Sequence, residues 1–305
     1  LIAASGFSAA LGLKEAFKDI GSVIVYGTPA EELEGSKHYI VEAGYMDEVD
    51  LMLANHYGGN WGSEVTGKAI VWPTHDNWLT FKGRTAHASS APEQGRSALD
   101  AVLLTCTALE YLRGPRDRAQ PFFLRIHYII SKGGTAANSV PDEATLNVEL
   151  RTNDSAELNS MMRRVDNIIK GAELMTETTA IYKWDAPWYC ATPVPSLYHN
   201  AADYAADLGI DSSRFTFGNP PKASSDLGSV AYKLPTVEIT FPIVPDGEPV
   251  PVGHADETAL LTCQDYPIDQ CILASKLMAL TGLRIAGDPE KLSALKAEFA
   301  KNYRE

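Results

Sequence analysis

The rhythm of apolar and polar residues changes at Pro73 and changes back after Pro187, and no other feature restricts the possible folds of this chain as much. Up to residue 72, helix and strand signals alternate. Apolar residues recur at helical spacing through Ser5–Phe17, a β-like run covers Val23–Tyr26, helical spacing returns at Ser36–Ala43, and a second β-like run covers Leu51–Asn55. Such alternation builds a parallel sheet covered by helices. From Pro73 the order becomes strand (78–82), helix (98–112), two strands (122–131 and 144–151), helix (156–171) and strand (180–184). A β-α-β-β-α-β order describes an antiparallel sheet packed on two helices. After Pro187 the first rhythm returns, with a helix near 197–208, a strand at 236–241 and a long helix over 263–286. The expectation is an α/β fold with a mainly parallel sheet, built from residues 1–73 and 188–305 and interrupted by an inserted α+β domain at 74–187.

A chain of 305 residues with 45% hydrophobic content has enough material for two separate cores. Its formal net charge of −13 repels nucleic acid and anionic membrane, so small molecules or proteins are the expected partners. Cys106, Cys190, Cys263 and Cys271 are scattered, with no Cys-x-x-Cys pair, which indicates neither a zinc ribbon nor a disulfide framework and fits a reducing compartment. No apolar run approaches the roughly 20 residues of a membrane span. The first residues lack the pattern of a signal peptide, and the chain reads as cytoplasmic. It opens with Leu1 directly ahead of a helix-like pattern, and the expectation is that upstream material is missing.

Adjacent carboxylates close the first β-like run, in Gly27-Thr-Pro-Ala-Glu31-Glu32, and His56 closes the second. If these runs are neighbouring parallel strands, their side chains emerge at one carboxyl edge of the sheet, where open α/β folds place ligands. One carboxylate can hold a divalent cation while its neighbour takes a proton from the water bound there. A solvated surface pair is the plainer reading of two glutamates taken alone. The loop Gly218–Asp226, rich in Gly, Pro and Ser, is either a connector or a site loop.

Several further motifs span the chain: Gly83-Arg-Thr-Ala-His87-Ala-Ser, Lys132-Gly-Gly, Asn138-Ser-Val-Pro-Asp-Glu, Leu150-Arg151, Ser224-Ser-Asp226 and Gly253-His254. In order and spacing, together with Gly27–Glu32, they resemble the M20 metallopeptidases, and within them the amidohydrolase branch of dipeptidases and B-type p-aminobenzoyl-glutamate hydrolases. The resemblance implies a metallopeptidase-type catalytic domain carrying an inserted lid and dimerisation domain. It also implies metal-dependent hydrolysis of an amide bond in a small dipeptide or an N-acyl or aminobenzoyl amino acid. By the same resemblance Glu31 is the general base, and Glu32, His56 and His254 hold metal. The complete enzyme would carry two divalent ions, Zn²⁺ or Mn²⁺.

The resemblance further gives His87 a catalytic role in a homodimer, reaching the other subunit's site to stabilise the oxyanion of the tetrahedral intermediate. Asn138, Arg151 and Asp226 would bind substrate. Against these stand plainer readings: a turn-shaping Asn138, an exposed strand-end Arg151, and an Asp226 motif with Ser225 where relatives carry Glu or Thr. Relatives also carry a His-Ala-Cys-Gly-His-Asn motif just ahead of the helix that begins this chain, and that motif is absent here. With Glu32, His56 and His254 alone, a zinc pair is incompletely ligated. The alternative expectation is therefore a truncated, catalytically inactive dimeric or interaction module of the same family. His38, His75, His127 and His199 match no motif and read as structural.

Overall fold

A computed structural model of the protein describes residues 1–18, 21–32, 35–65, 67–73, 78–113, 124–217, 224–251, 253 and 255–303. The chain divides into two compact units, one formed by Leu1–Thr66 with Ala191–Arg304 and the other by Gly67–Cys190.

In the first unit, strand β1 (Met52–Gly58) pairs in parallel with β7 (Thr236–Pro242), in a register running from Met52↔Thr236 to Gly58↔Pro242. Alternation along the strands sends two sets of side chains to opposite faces. Leu53, Tyr57, Val237, Ile239 and Phe241 join a core with α1 (Ile2–Phe17), α5 (Pro195–Ala205) and α8 (Asp265–Ala286), through Ala9, Leu197, Ala201, Ala274 and Leu277. Met52 and Ala54 face the other way. They pack with Ile40 and Val41 of α2 (Lys37–Glu42) and with Val230 and Ala231 of α6 (Leu227–Lys233). Apolar residues on both faces are what a parallel sheet between helix layers requires. Helices α7 (Asp256–Leu261) and α9 (Pro289–Asn302) complete the unit.

Val23–Tyr26 departs from expectation. The segment is not a strand, and Ile24 and Val25 are 59% and 55% exposed. β-branched residues favour a strand only where a neighbour supplies the ladder, and in this unit the described ladder is β1 with β7. Tyr26 is held instead by its hydroxyl, which donates to the Tyr45 carbonyl at 2.6 Å.

The second unit carries an antiparallel sheet around β5 (Glu143–Thr152), whose Ala144, Leu146, Val148, Leu150 and Thr152 alternate into the core. β4 (Leu124–Lys132) pairs along one edge of β5, while β2 (Ala69–Val71) and β3 (Leu79–Lys82) share the other, and β6 (Thr179–Ile181) pairs with β3. Helices α3 (Ala98–Leu112) and α4 (Ser155–Thr176) cover the inner face through Val102, Leu109, Leu158, Met161 and Val165. Each helix starts at a side-chain cap: Ser97 accepts from the Asp100 N–H, and Asp154 accepts from the Glu157 N–H at 2.8 Å. Gly171 does not end α4. The helix runs on to Thr176 and closes at Glu177, which takes the left-handed conformation at φ 51°. No described helix is long and apolar enough to cross a membrane.

Candidate functional site

In the first unit the Glu31–Glu32 turn, β1, β7 and α2 bring polar groups to the α2/α6 side of the sheet. Ala30 enters the turn at φ 61°, a left-handed conformation that costs an L-residue energy, and the Gly35 N–H closes it onto the Ala30 carbonyl at 2.7 Å. Glu31 is half-buried and Glu32 exposed.

His56 emerges on the same face as Ala54 and is exposed. Its Nδ1 lies 2.7 Å from the Tyr57 carbonyl. A carbonyl only accepts, so Nδ1 carries the hydrogen, and the neutral ring presents its lone pair at Nε2. A ring whose other nitrogen is tied to a backbone carbonyl in this way has the form that metal-ligating histidines take.

Opposite Ala54 in the register stands Glu238, a half-buried carboxylate inside β7. Burial pushes its carboxyl above the usual glutamate value, His56 and Lys37 oppose that shift, and Glu31 adds to it. Glu31, Lys37 and His56 therefore all lie close enough to act on the Glu238 carboxylate. Neither Lys37 nor Glu238 belongs to a motif of the sequence. The available signal for Glu238 was a lone charge within the apolar run Thr236-Val-Glu-Ile-Thr-Phe241.

Asp226 turns its carboxylate inward onto Lys37. Its side chain has no exposed surface, the Lys37 ammonium lies 2.6 Å from Oδ1, and the Lys37 backbone N–H donates to Oδ2 at 3.1 Å. His254 lies outside the described residues. Among the described residues, no group of three or more His, Cys, Asp or Glu side chains is assembled for a metal ion. The donor chemistry of Glu32 and His56 fits a divalent cation.

In the second unit His87 and Asn138 are brought together. Residues 85–88 and 138–140 form a short ladder: His87 bridges to Ser139, the Ala88 N–H donates to the Asn138 carbonyl at 2.9 Å, and the Val140 N–H to the Ala86 carbonyl at 2.9 Å. Both side chains are exposed. The backbone N–H groups of Ser89 and Ser90 each approach His87 Nδ1 at 3.3 Å. Nδ1 is the acceptor there, so Nε2 carries the hydrogen and is available to donate. Arg151 stands on the outer face of β5, where Nε donates to Glu149 at 2.6 Å, and His127 approaches the same carboxylate at 3.1 Å.

Residues 75–174 match the family model for the M20 peptidase dimerisation domain. The chain belongs to the M20 family of peptidases and amidohydrolases. It is 28% identical to the Xaa-Arg dipeptidase of Mus musculus over 306 residues, which cover 98% of this chain and 68% of the mouse protein. Over 213 residues it is 32% identical to a p-aminobenzoyl-glutamate hydrolase polypeptide of Escherichia coli, covering 68% of this chain and 42% of that protein.

Among solved structures, an aminobenzoyl-glutamate utilization protein from Klebsiella pneumoniae superposes with a TM-score of 0.57 at 22% identity. That match covers 90% of this chain and 65% of the other. A dinuclear metal-binding M20 peptidase from Bacillus subtilis gives 0.50 at 14% identity, covering 90% of this chain and 71% of that one. At these identities the structural likeness establishes the fold: a mixed α/β architecture with a parallel sheet and a dimerisation domain.

Proposed function

We propose that this M20 chain takes part in metal-dependent hydrolysis of an amide bond in a small dipeptide or an N-acyl or aminobenzoyl amino acid, working as a cytoplasmic homodimer. The observation that carries the reading is His56, exposed at β1 with Nδ1 tied to the Tyr57 carbonyl and Nε2 left for a ligand, on the same sheet face as Glu238. The names of the mouse and E. coli relatives support the substrate class, and the B. subtilis structure supports two metal ions. Glu32, His56 and His254 would hold divalent metal, Zn²⁺ or Mn²⁺. When bound, the metal supplies Lewis acidity toward the amide carbonyl and lowers the pKa of water.

The chain's own residues divide the remaining work. Glu31 takes the proton of the attacking water at its carboxylate and later passes it to the leaving amine. His87, with its hydrogen on Nε2, donates to the oxyanion that forms at the former carbonyl. Residues 74–187 form the inserted domain, and in it Asn138 and Arg151 bind the substrate's carbonyl and carboxylate. For Arg151 to do so, its guanidinium must share itself between substrate and Glu149.

The test is Glu31→Gln. Turnover of dipeptides and N-acyl amino acids should fall by a factor on the order of 10² or more, with metal content nearly unchanged. Loss of metal without a selective rate defect would contradict the assignment of Glu31 as base.

A further inference from the structure

We propose that Lys37 is the positioning residue of the Glu31–Glu32 turn, acting by clamping Asp226 with both its ammonium and its backbone N–H. The inference rests on the reading of that turn as base and metal ligand. Two ends hold the turn. Ahead of it, the Tyr26 hydroxyl is fixed to the Tyr45 carbonyl at 2.6 Å. Behind it, Lys37 is the first residue of α2, and it reaches a carboxylate 189 positions away at the start of α6.

Energetics argue that the contact exists for placement rather than for bulk stability. A buried ion pair loses in desolvation much of what it gains in attraction, and apolar residues of similar volume would often hold α2 to α6 at least as well. Ile40 and Val41 already pack against Val230 and Ala231 there. What apolar contacts do not provide is direction. Asp226 receives an ammonium on one oxygen and a backbone N–H on the other, which fixes where α2 begins. That point lies two residues beyond Gly35, whose N–H closes the turn onto Ala30. Lys37 also acts on Glu238, whose carboxylate its charge favours. With its carboxylate fully buried against Lys37, Asp226 acts on the turn through Lys37.

The test compares the wild-type chain with Lys37→Arg and with the double variant Lys37→Met plus Asp226→Asn, which removes both charges and leaves no orphaned ion. Hydrogen exchange is followed for the peptide carrying Glu31 and Glu32 and for β7 and α8, alongside the thermal midpoint and calorimetric titration with Mn²⁺. In the double variant, exchange in the turn should quicken on the order of tenfold, equivalent to about 1.4 kcal/mol of local opening, while β7 and α8 keep their protection. Mn²⁺ should bind correspondingly more weakly, and Lys37→Arg should restore most of both. Unchanged exchange in a folded double variant overturns the proposal, as does a uniform loss of protection across the unit. If neither wild type nor variant takes up Mn²⁺, the hydrolase reading fails, and the exchange rates still decide the role of Lys37.

Discussion

His56 and His87 are held in opposite tautomers: the first gives its Nδ1 hydrogen to the Tyr57 carbonyl, whereas the second takes backbone hydrogens from Ser89 and Ser90 at Nδ1. One ring therefore offers a lone pair at Nε2 and the other a hydrogen, which suits a ligand in the first case and an oxyanion donor in the second. Long-range proton–nitrogen correlation spectra of ¹⁵N-histidine-labelled protein, recorded above the imidazole pKa, should show an unprotonated Nε2 for His56 and an unprotonated Nδ1 for His87. Matching tautomers in the two rings would remove this basis for their different roles.

A role for His87 in a partner's site makes a prediction about mixed dimers. Glu31→Gln and His87→Ala homodimers should each be nearly inactive. Mixing them should restore part of the activity, because a heterodimer contains one site with both an intact Glu31 and an intact His87. Activity is measured after subunit exchange has been verified by mass-tagged dimers. No recovery in exchanged dimers would place His87 in its own subunit's site or outside the chemistry.

The second unit was easily read because its signal is local. In β5 the buried Ala144, Leu146, Val148 and Leu150 alternate with outward residues, and such a strand declares its faces without reference to its neighbours. Val23–Tyr26 looked equally strand-like and is not a strand, since a ladder also needs a second chain segment at hydrogen-bonding distance. The Glu31–Glu32 pair and His56 were visible as charges and an imidazole ending apolar runs. Glu238 gained meaning only from its register opposite Ala54. Lys37 gained its meaning only from a contact with a residue 189 positions away. Asp226 was found by motif, but a motif does not say which way a carboxylate turns.

Glu238 should make the metal-free protein sensitive to pH in a definite direction. Its folded-state pKa is raised above the ordinary value of 4.5, mainly by burial, so the folded chain binds that proton more tightly than the unfolded one. The stability it contributes is full below about pH 4.5 and is lost as pH rises through the folded pKa. Glu238→Gln, which keeps the shape and removes the charge, should therefore raise the thermal midpoint at pH 7 in the presence of chelator. That advantage should shrink as pH falls below 4.5. An equal effect at both pH values would show that packing rather than charge governs the substitution.

Gly83 opens the motif that carries His87, and its backbone leaves no room for a side chain: a Cβ there would stand 2.0 Å from the Arg96 carbonyl oxygen. The closeness is built into the ladder. The Gly83 N–H donates to the Asp142 carbonyl at 2.8 Å, and Arg84 exchanges backbone hydrogen bonds with Arg96 at 2.9 and 2.8 Å. An added methyl meets backbone, which cannot swing aside as the end of a side chain can. Gly83→Ala must therefore push the 83–87 segment away from residues 94–98 and loosen the pairing of residues 85–88 with 138–140. The expected cost is about 1–3 kcal/mol of stability, read as a lower denaturant midpoint at unchanged slope. Because the displaced segment leads directly to the Ser89 and Ser90 amides, the His87 tautomer should become mixed in the same variant. A destabilised Gly83→Ala protein that kept a pure Nε2–H signal at His87 would show that the tautomer is set locally by the serine amides alone.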